Sequence, residues 1–336
     1  MKRILPISSI RFFLALWVFL GHFGYPILSE PQYNPLLWCA RALLNNAFAG
    51  PAAVIAFFII SGFCIHFPNR HGLEMRSWTA YYARRYLRIL IPMAAAMLLA
   101  IPLKLKFGIF TDSILWSLLC EEIYYLVYPG LLRLRTLLGW RKLMIFASLA
   151  ALATVLSHPD AKDYPSYGPW LNWVLGLPCW LLGMRMAERL DVFGSVPVAT
   201  LQIWLWRFGI WVASVAASVI RFHTPVGYPW TLNLFAMLAA LWLQREIAYY
   251  RGSQRAPVFE RLGDASYSVY LTHLHGAMAV ERVTAIQSPS ALWWLTALAT
   301  VLFSTLFYWC IERPSHWFAR RYSQKLALRT RAAKAE

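Results

Sequence analysis

The sequence predicts an all-α integral membrane protein, a polytopic bundle of about ten transmembrane helices. Three observations predict it. Apolar runs long enough to cross a bilayer recur from one end of the chain to the other. Charged residues make up only 14% of the chain and hydrophobic ones 59%, whereas soluble domains carry roughly a quarter charged residues. The basic residues also alternate by side: of the 32 Lys and Arg, 24 fall at one face of the predicted bundle and six at the other, with Arg11 and Arg207 inside spans. That bias places both the N-terminus and the C-terminus in the cytoplasm.

The first span, 7–28, follows Lys2 and Arg3 and lacks a small-x-small cleavage site, so it is expected to be a retained helix and not a signal peptide. The second, 47–67, is an unbroken apolar run, and the third, 87–103, follows an arginine-rich stretch. The fourth, 113–132, carries two adjacent glutamates at mid-depth, and the fifth, 143–157, is short and follows four basic residues in 133–142. Spans 168–184, 198–220, 229–244, 265–281 and 291–311 complete the set. Loops are short and no internal repeat is visible. Residues 1–312 are therefore expected to form one transmembrane domain and 313–336 a basic cytoplasmic tail.

The net charge of +17 does not indicate nucleic acid, because most of it lies where it orients helices and meets anionic lipid. The five cysteines show no CxxC or Cys/His metal spacing and read as packing residues; no metal site is expected.

Ionisable groups at membrane depth are costly and point to function. Arg11 and His22 stand eleven residues apart, about 16 Å along a helix and within about 20° of one face. They can line one cavity at two depths, or else Arg11 snorkels to lipid phosphate while His22 supports a helix contact. Glu121 and Glu122 project about 100° apart, with Arg207, His22 and His273 or His275 as candidate partners at similar depth, for a site or for a structural ion pair that ties helices together. Arg84, Arg85 and Arg88 form a basic cluster suited to phosphate oxygens, although a basic loop on that side is also what topology demands. Ser61 in "ISGF" reads as a close-packing position and not a nucleophile, since no GxSxG turn surrounds it. His273 and His275 point apart on a helix and make a poor metal pair.

Six stretches, taken in order, resemble the acyltransferase-3 family of integral membrane O-acyltransferases. Arg11 and His22 match its Arg, ten residues, His pattern, and "FFIISGF" its FF-x-x-SGF element. "RRYLRILIP" resembles its R-R-x-x-R-x-x-x-P stretch, and "WSLLCEEIYYLVYP" its W-S-L-x-x-E-E-x-x-Y-x-x-x-P helix. "SYSVYLTH", with Tyr270 and His273, resembles S-Y-S-x-Y-L-x-H, and "IERP" its closing E-x-P. The chain looks like the single-domain form, without an esterase-like C-terminal domain. The resemblance implies a multi-pass enzyme of the bacterial cytoplasmic membrane that takes an acyl group, most often acetyl, from coenzyme A. The acceptor it implies is a sugar hydroxyl on a cell-surface polysaccharide, lipopolysaccharide, glycolipid or glycosylated small molecule.

On this reading acyl-CoA is a co-substrate and no cofactor is held permanently. The expected partners are acyl-CoA, a carbohydrate acceptor and the bilayer. Arg84, Arg85 and Arg88 would contact the donor phosphates, with Arg11 just inside. His22 would be the general base, since imidazole titrates near neutrality, and Glu121 would orient it. Glu122, Arg207, Ser61, Tyr270 and His273 are expected to line the site, Arg207 as one candidate for stabilising the oxyanion. The alternative class is a proton-coupled transporter or flippase for a glycolipid or small anion. The lack of repeat symmetry and of paired broken helices weighs against it. A non-catalytic envelope partner is a third reading, opposed by the intact Arg11, His22 and Glu121 set.

Overall fold

In a computed structural model, residues 4–26, 35–70, 78–107, 114–253, 258–284, 286 and 288–332 are described. Residues 27–28 of the first predicted span and residue 113 of the fourth lie outside them, as do Lys2, Arg3, Arg76, Arg255, Lys334 and the tail beyond residue 332. The described residues are helical almost throughout, with no strand among them. The helices are α1 (Ile7–Phe23), α2 (Pro35–Asn46), α3 (Gly50–His66), α4 (Trp78–Ala100), α5 (Leu115–Ser157) and α6 (Gly168–Glu188). The short α7 (Leu190–Phe193) follows, then α8 (Thr200–His223), α9 (Tyr228–Ser253), α10 (Ser266–Val283), α11 (Pro289–Phe307) and α12 (Arg313–Ala332). Four stretches, 39–69, 115–157, 200–223 and 289–329, are long and apolar enough to cross a membrane, and α1 is a shorter apolar helix.

Each predicted span falls on a helix, but three boundaries differ for physical reasons. The arginine cluster 84–88 was expected in a loop; α4 starts at Trp78 and carries all three arginines on helix. The fourth and fifth spans were expected as separate helices joined by a loop. They are two arms of α5, meeting at Gly139, whose φ of 71° and ψ of 167° only glycine adopts without strain. The basic tail expected from residue 313 begins as helix: the helical run continues past residue 312 into α12, which packs along α4.

The axis of the bundle is α3, buried on nearly every side and packed against α1, α6 and α9. Its crossing with α6 depends on two glycines. A Cβ on Gly62 would overlap the Trp180 carbonyl oxygen, and one on Gly183 would overlap that of Ile59. Small residues at such a crossing let the backbones touch, which is how apolar helices associate in lipid.

Polar contacts then fix the corners. Glu188, at the end of α6, accepts from Arg135 at 2.7 Å and from Trp140 at 2.6 Å, one on each side of the Gly139 corner. It also meets His66 Nε2 of α3 at 3.0 Å, so one carboxylate ties three helices together. Pro129 has no N–H to offer the Tyr125 carbonyl four residues earlier, and the Tyr81 hydroxyl of α4 donates to that carbonyl at 3.2 Å. The proline thus frees an acceptor that α4 uses to dock.

Gly62→Ala and Gly183→Ala are each expected to destabilise the bundle by about 1–3 kcal/mol or more. Melting of the purified variants in detergent checks this. Unchanged melting in both would show that the α3–α6 backbone contact does not hold the bundle together.

Candidate functional site

At the arginine-bearing end of α4 a cavity of about 130 Å³ opens between α1, α3, α4, α5, α10 and α12. Arg11, Arg85 and Arg88 line it with Glu121 and His316. Helical rise orders the rest of the wall. Tyr125 stands near the arginines, Glu121 one turn further along α5, and Ser117 one turn beyond that. On α10, Tyr267 is followed by Tyr270, whose hydroxyl lies 2.6 Å from Ser117 Oγ and donates to the Ile114 carbonyl at 3.1 Å. The cavity thus runs from a cationic end to a hydroxyl-lined one.

Ser61 belongs to the wall. Its Oγ lies 2.9 Å from the Tyr125 hydroxyl and accepts from Trp180 Nε1 at 3.3 Å. Its neighbour Gly62 makes the backbone crossing with α6, so the Ser-Gly pair serves packing and the cavity together. Glu121 lies beside Ser61 and Tyr125 and in the field of Arg11 and Arg85; the Tyr125 hydroxyl donates to its Oε2 at 3.4 Å.

Beyond Tyr270, outside the cavity wall, lie two histidines. The rings of His22 and His273 are 4.9 Å apart, centroid to centroid. His22 Nδ1 donates to the Val18 carbonyl at 2.8 Å, and His273 Nδ1 to the Tyr270 carbonyl at 2.7 Å. A carbonyl can only accept, so each Nδ1 carries a proton, and in the neutral form of each ring the lone pair is on Nε2. His273 is fully buried, and its Nε2 has no partner among the described residues; His22 is exposed. Both imidazoles are held by backbone in the tautomer a base needs.

Several expected assignments need correcting. Glu121 was expected to orient His22; the Val18 carbonyl does so, because a side chain bonding its own helix four residues back is closer than any carboxylate on α5. Arg207 was an oxyanion candidate; it instead forms a bidentate pair with Glu246 of α9, at 2.7 and 3.0 Å, stacks over Trp204, and does not line the cavity. Arg84 turns away from Arg85 and Arg88 into a separate hollow with Arg320, Ser323 and Gln324 of α12. Glu122 is buried off the cavity wall, both carboxylate oxygens without a partner among the described residues.

Sequence reading also missed wall residues. Ser117, Tyr125 and Tyr267 sit in recognisable stretches but look like ordinary helix positions. His316 was passed over entirely, although it stands four residues after Glu312, one helical turn on.

The chain matches the acyltransferase domain family over residues 7–312, and it belongs to that family. It is 26% identical to the acyltransferase MdmB of Streptomyces mycarofaciens, over 89% of this chain and 86% of the relative. It is also 26% identical to nodulation protein 10 of Rhizobium leguminosarum bv. viciae, over 61% of this chain and 54% of that protein. No solved structure matches it. Its membership makes it an acyltransferase, and its apolar helices make it a membrane protein.

If Arg207 serves only the α8–α9 contact, Arg207→Met lowers the melting temperature but leaves turnover of the folded enzyme within about twofold, as removing one partner of a buried pair chiefly costs stability. A folded but inactive variant would return Arg207 to the site.

Proposed function

We propose that the protein is an acyl-CoA-dependent membrane O-acyltransferase that moves an acyl group, acetyl in the first instance, onto a sugar hydroxyl. The acceptor class is a cell-surface glycan, a glycolipid or a glycosylated small molecule. One observation carries the reading: a cavity that is cationic at one end points along α10 toward two adjacent histidines, each with Nδ1 on a backbone carbonyl, and the buried His273 Nε2 has no partner among the described residues. A polyanionic donor with a long thin arm suits such a passage. Its phosphates sit at Arg85 and Arg88 with Arg11 behind them, and its thioester reaches past Tyr270.

In this mechanism His22 Nε2 takes the proton of the acceptor hydroxyl as the oxygen attacks the thioester carbonyl. The tetrahedral intermediate collapses, the carbon–sulfur bond breaks, and the thiolate regains a proton from the His22 imidazolium. The products are the sugar ester and free coenzyme A. The His273 ring, 4.9 Å from His22 with its Nε2 lone pair unpartnered among the described residues, supports the charge of that imidazolium through its dipole. Glu121 balances the guanidinium charge in the cavity and orders Arg11, Ser61 and Tyr125. The excess of basic residues on the α4 arginine side supports a donor arriving from the cytoplasm across a bacterial cytoplasmic membrane.

Purified protein is incubated with radiolabelled acetyl-CoA and surface glycans of the source cell. His22→Ala is expected to lower kcat by about 10²–10⁴-fold, the usual worth of a general base, with KM for acetyl-CoA nearly unchanged. Undiminished transfer would overturn the assignment of the base. Absence of transfer by the wild type would overturn the donor. His273→Asn, which loses the free Nε2 acceptor, is expected to lower kcat by about tenfold, and an unchanged kcat removes His273 from the mechanism.

A further inference from the structure

The last helical run reaches the cavity through residues that no motif assigns a role. After Phe307 the α11 helix widens into a π turn, Tyr308–Glu312, before α12 begins. A π turn inserts one residue and rotates everything after it, and such turns concentrate at functional sites. Here it buries Glu312, which is 1% exposed. Glu312 Oε2 accepts the backbone N–H of Ser268 at 3.0 Å together with the Ser268 hydroxyl. This carboxylate is therefore already committed to the first turn of α10, the helix that carries Tyr270 and His273.

One turn later, His316 enters the cavity wall, and its Nε2 accepts the Arg88 Nε–H at 3.0 Å. An arginine nitrogen only donates, so this Nε2 is a bare lone pair and the ring is neutral, with its proton on Nδ1. Glu312 Oε1 lies 3.6 Å from the same nitrogen, too far for a hydrogen bond.

We propose that His316 is a positioning residue for the acyl donor: by accepting the Arg88 Nε–H it fixes the guanidinium plane and leaves both Nη groups free for a donor phosphate. The choice of acceptor matters. A carboxylate in that place would fix Arg88 equally well but would cancel its charge and occupy the fork that phosphate oxygens need. A neutral imidazole fixes the arginine without neutralising it. With Glu312 holding α10 and His316 holding α4, five residues of one helical run set the donor arginine and the histidine-bearing helix against each other. This inference rests on the acyl-CoA reading above.

The test compares His316→Phe, which keeps the ring but loses the acceptor, with His316→Gln, which keeps an acceptor. KM for acetyl-CoA is expected to rise about tenfold in the Phe variant, the effect of one lost hydrogen bond to a charged group, with kcat within about twofold. Affinity for free coenzyme A, measured by calorimetry, falls in parallel, and the Gln variant stays near wild type. In an Arg88→Lys background, which has no Nε–H, His316→Phe adds nothing further. His316→Ala replaces the Phe variant should that one fail to fold. An unchanged KM in the Phe variant, an equal rise in Phe and Gln, or a full further rise in the Lys background overturns the proposal. A wild type that neither uses acetyl-CoA nor binds coenzyme A overturns the donor reading itself. Transfer by the wild type together with any of the three preceding results overturns the role of His316 alone.

Discussion

Guanidinium groups cannot remain inside a bundle of apolar helices unless something holds them, and three of them surround one cavity in this protein. Much of the polar architecture near the site follows from that constraint. Glu121 lies in the field of Arg11 and Arg85, and Ser61 and Tyr125 complete its surroundings. Arg88 is held by a neutral imidazole, while the nearest remaining carboxylate, Glu312, is occupied by the start of α10. The cavity therefore keeps net positive character at one end, which suits an anionic occupant better than a fully paired cluster would.

The rest of the bundle keeps charge out of the way of that arrangement. Arg207 and Glu246 satisfy each other between α8 and α9, with Trp242 Nε1 adding a third bond at 2.9 Å. Glu188 satisfies Arg135, Trp140 and His66 where α3, α5 and α6 meet. These clusters resemble site residues in composition, yet their donors and acceptors are matched within the protein. The histidine pair differs, because the backbone takes only Nδ1 of each ring. Of the buried His273 ring, Nε2 has no partner among the described residues.

Much of this was legible from residues alone. The Arg11 and His22 spacing placed both on one helix, and the ordered motifs pointed to an acyltransferase, which the family match bears out over residues 7–312. Ten apolar runs were found; the described part of each lies mainly on helix, and four helical stretches are long and apolar enough to cross a membrane. Partner choice was not legible. Arg84, Arg85 and Arg88 are chemically alike and within two turns, but the rotation of α4 against α12 sends Arg84 to a different hollow. Glu121 and His22 looked like natural partners, and only the local geometry of α1 shows that the Val18 carbonyl takes the imidazole first. His316 was invisible because its relevance depends on the π turn, and one extra residue in a turn leaves no mark on the apolar pattern.

By itself the sequence determined that the chain is a bundle of apolar helices, which helices bear ionisable groups, and at what depth along each helix they stand. Those properties follow from hydropathy and from a fixed rise and rotation per residue, which are local. The tertiary structure alone decided which ionisable groups meet: Arg88 with His316, Arg207 with Glu246, His22 with His273. Helices that all present apolar surfaces can pack in many rotations, and small-residue contacts such as Gly62 on Trp180 select one of them. That selection, made by backbone contact far from any charge, is what turns a list of buried ionisable residues into a cavity with a cationic end and a basic pair beyond it.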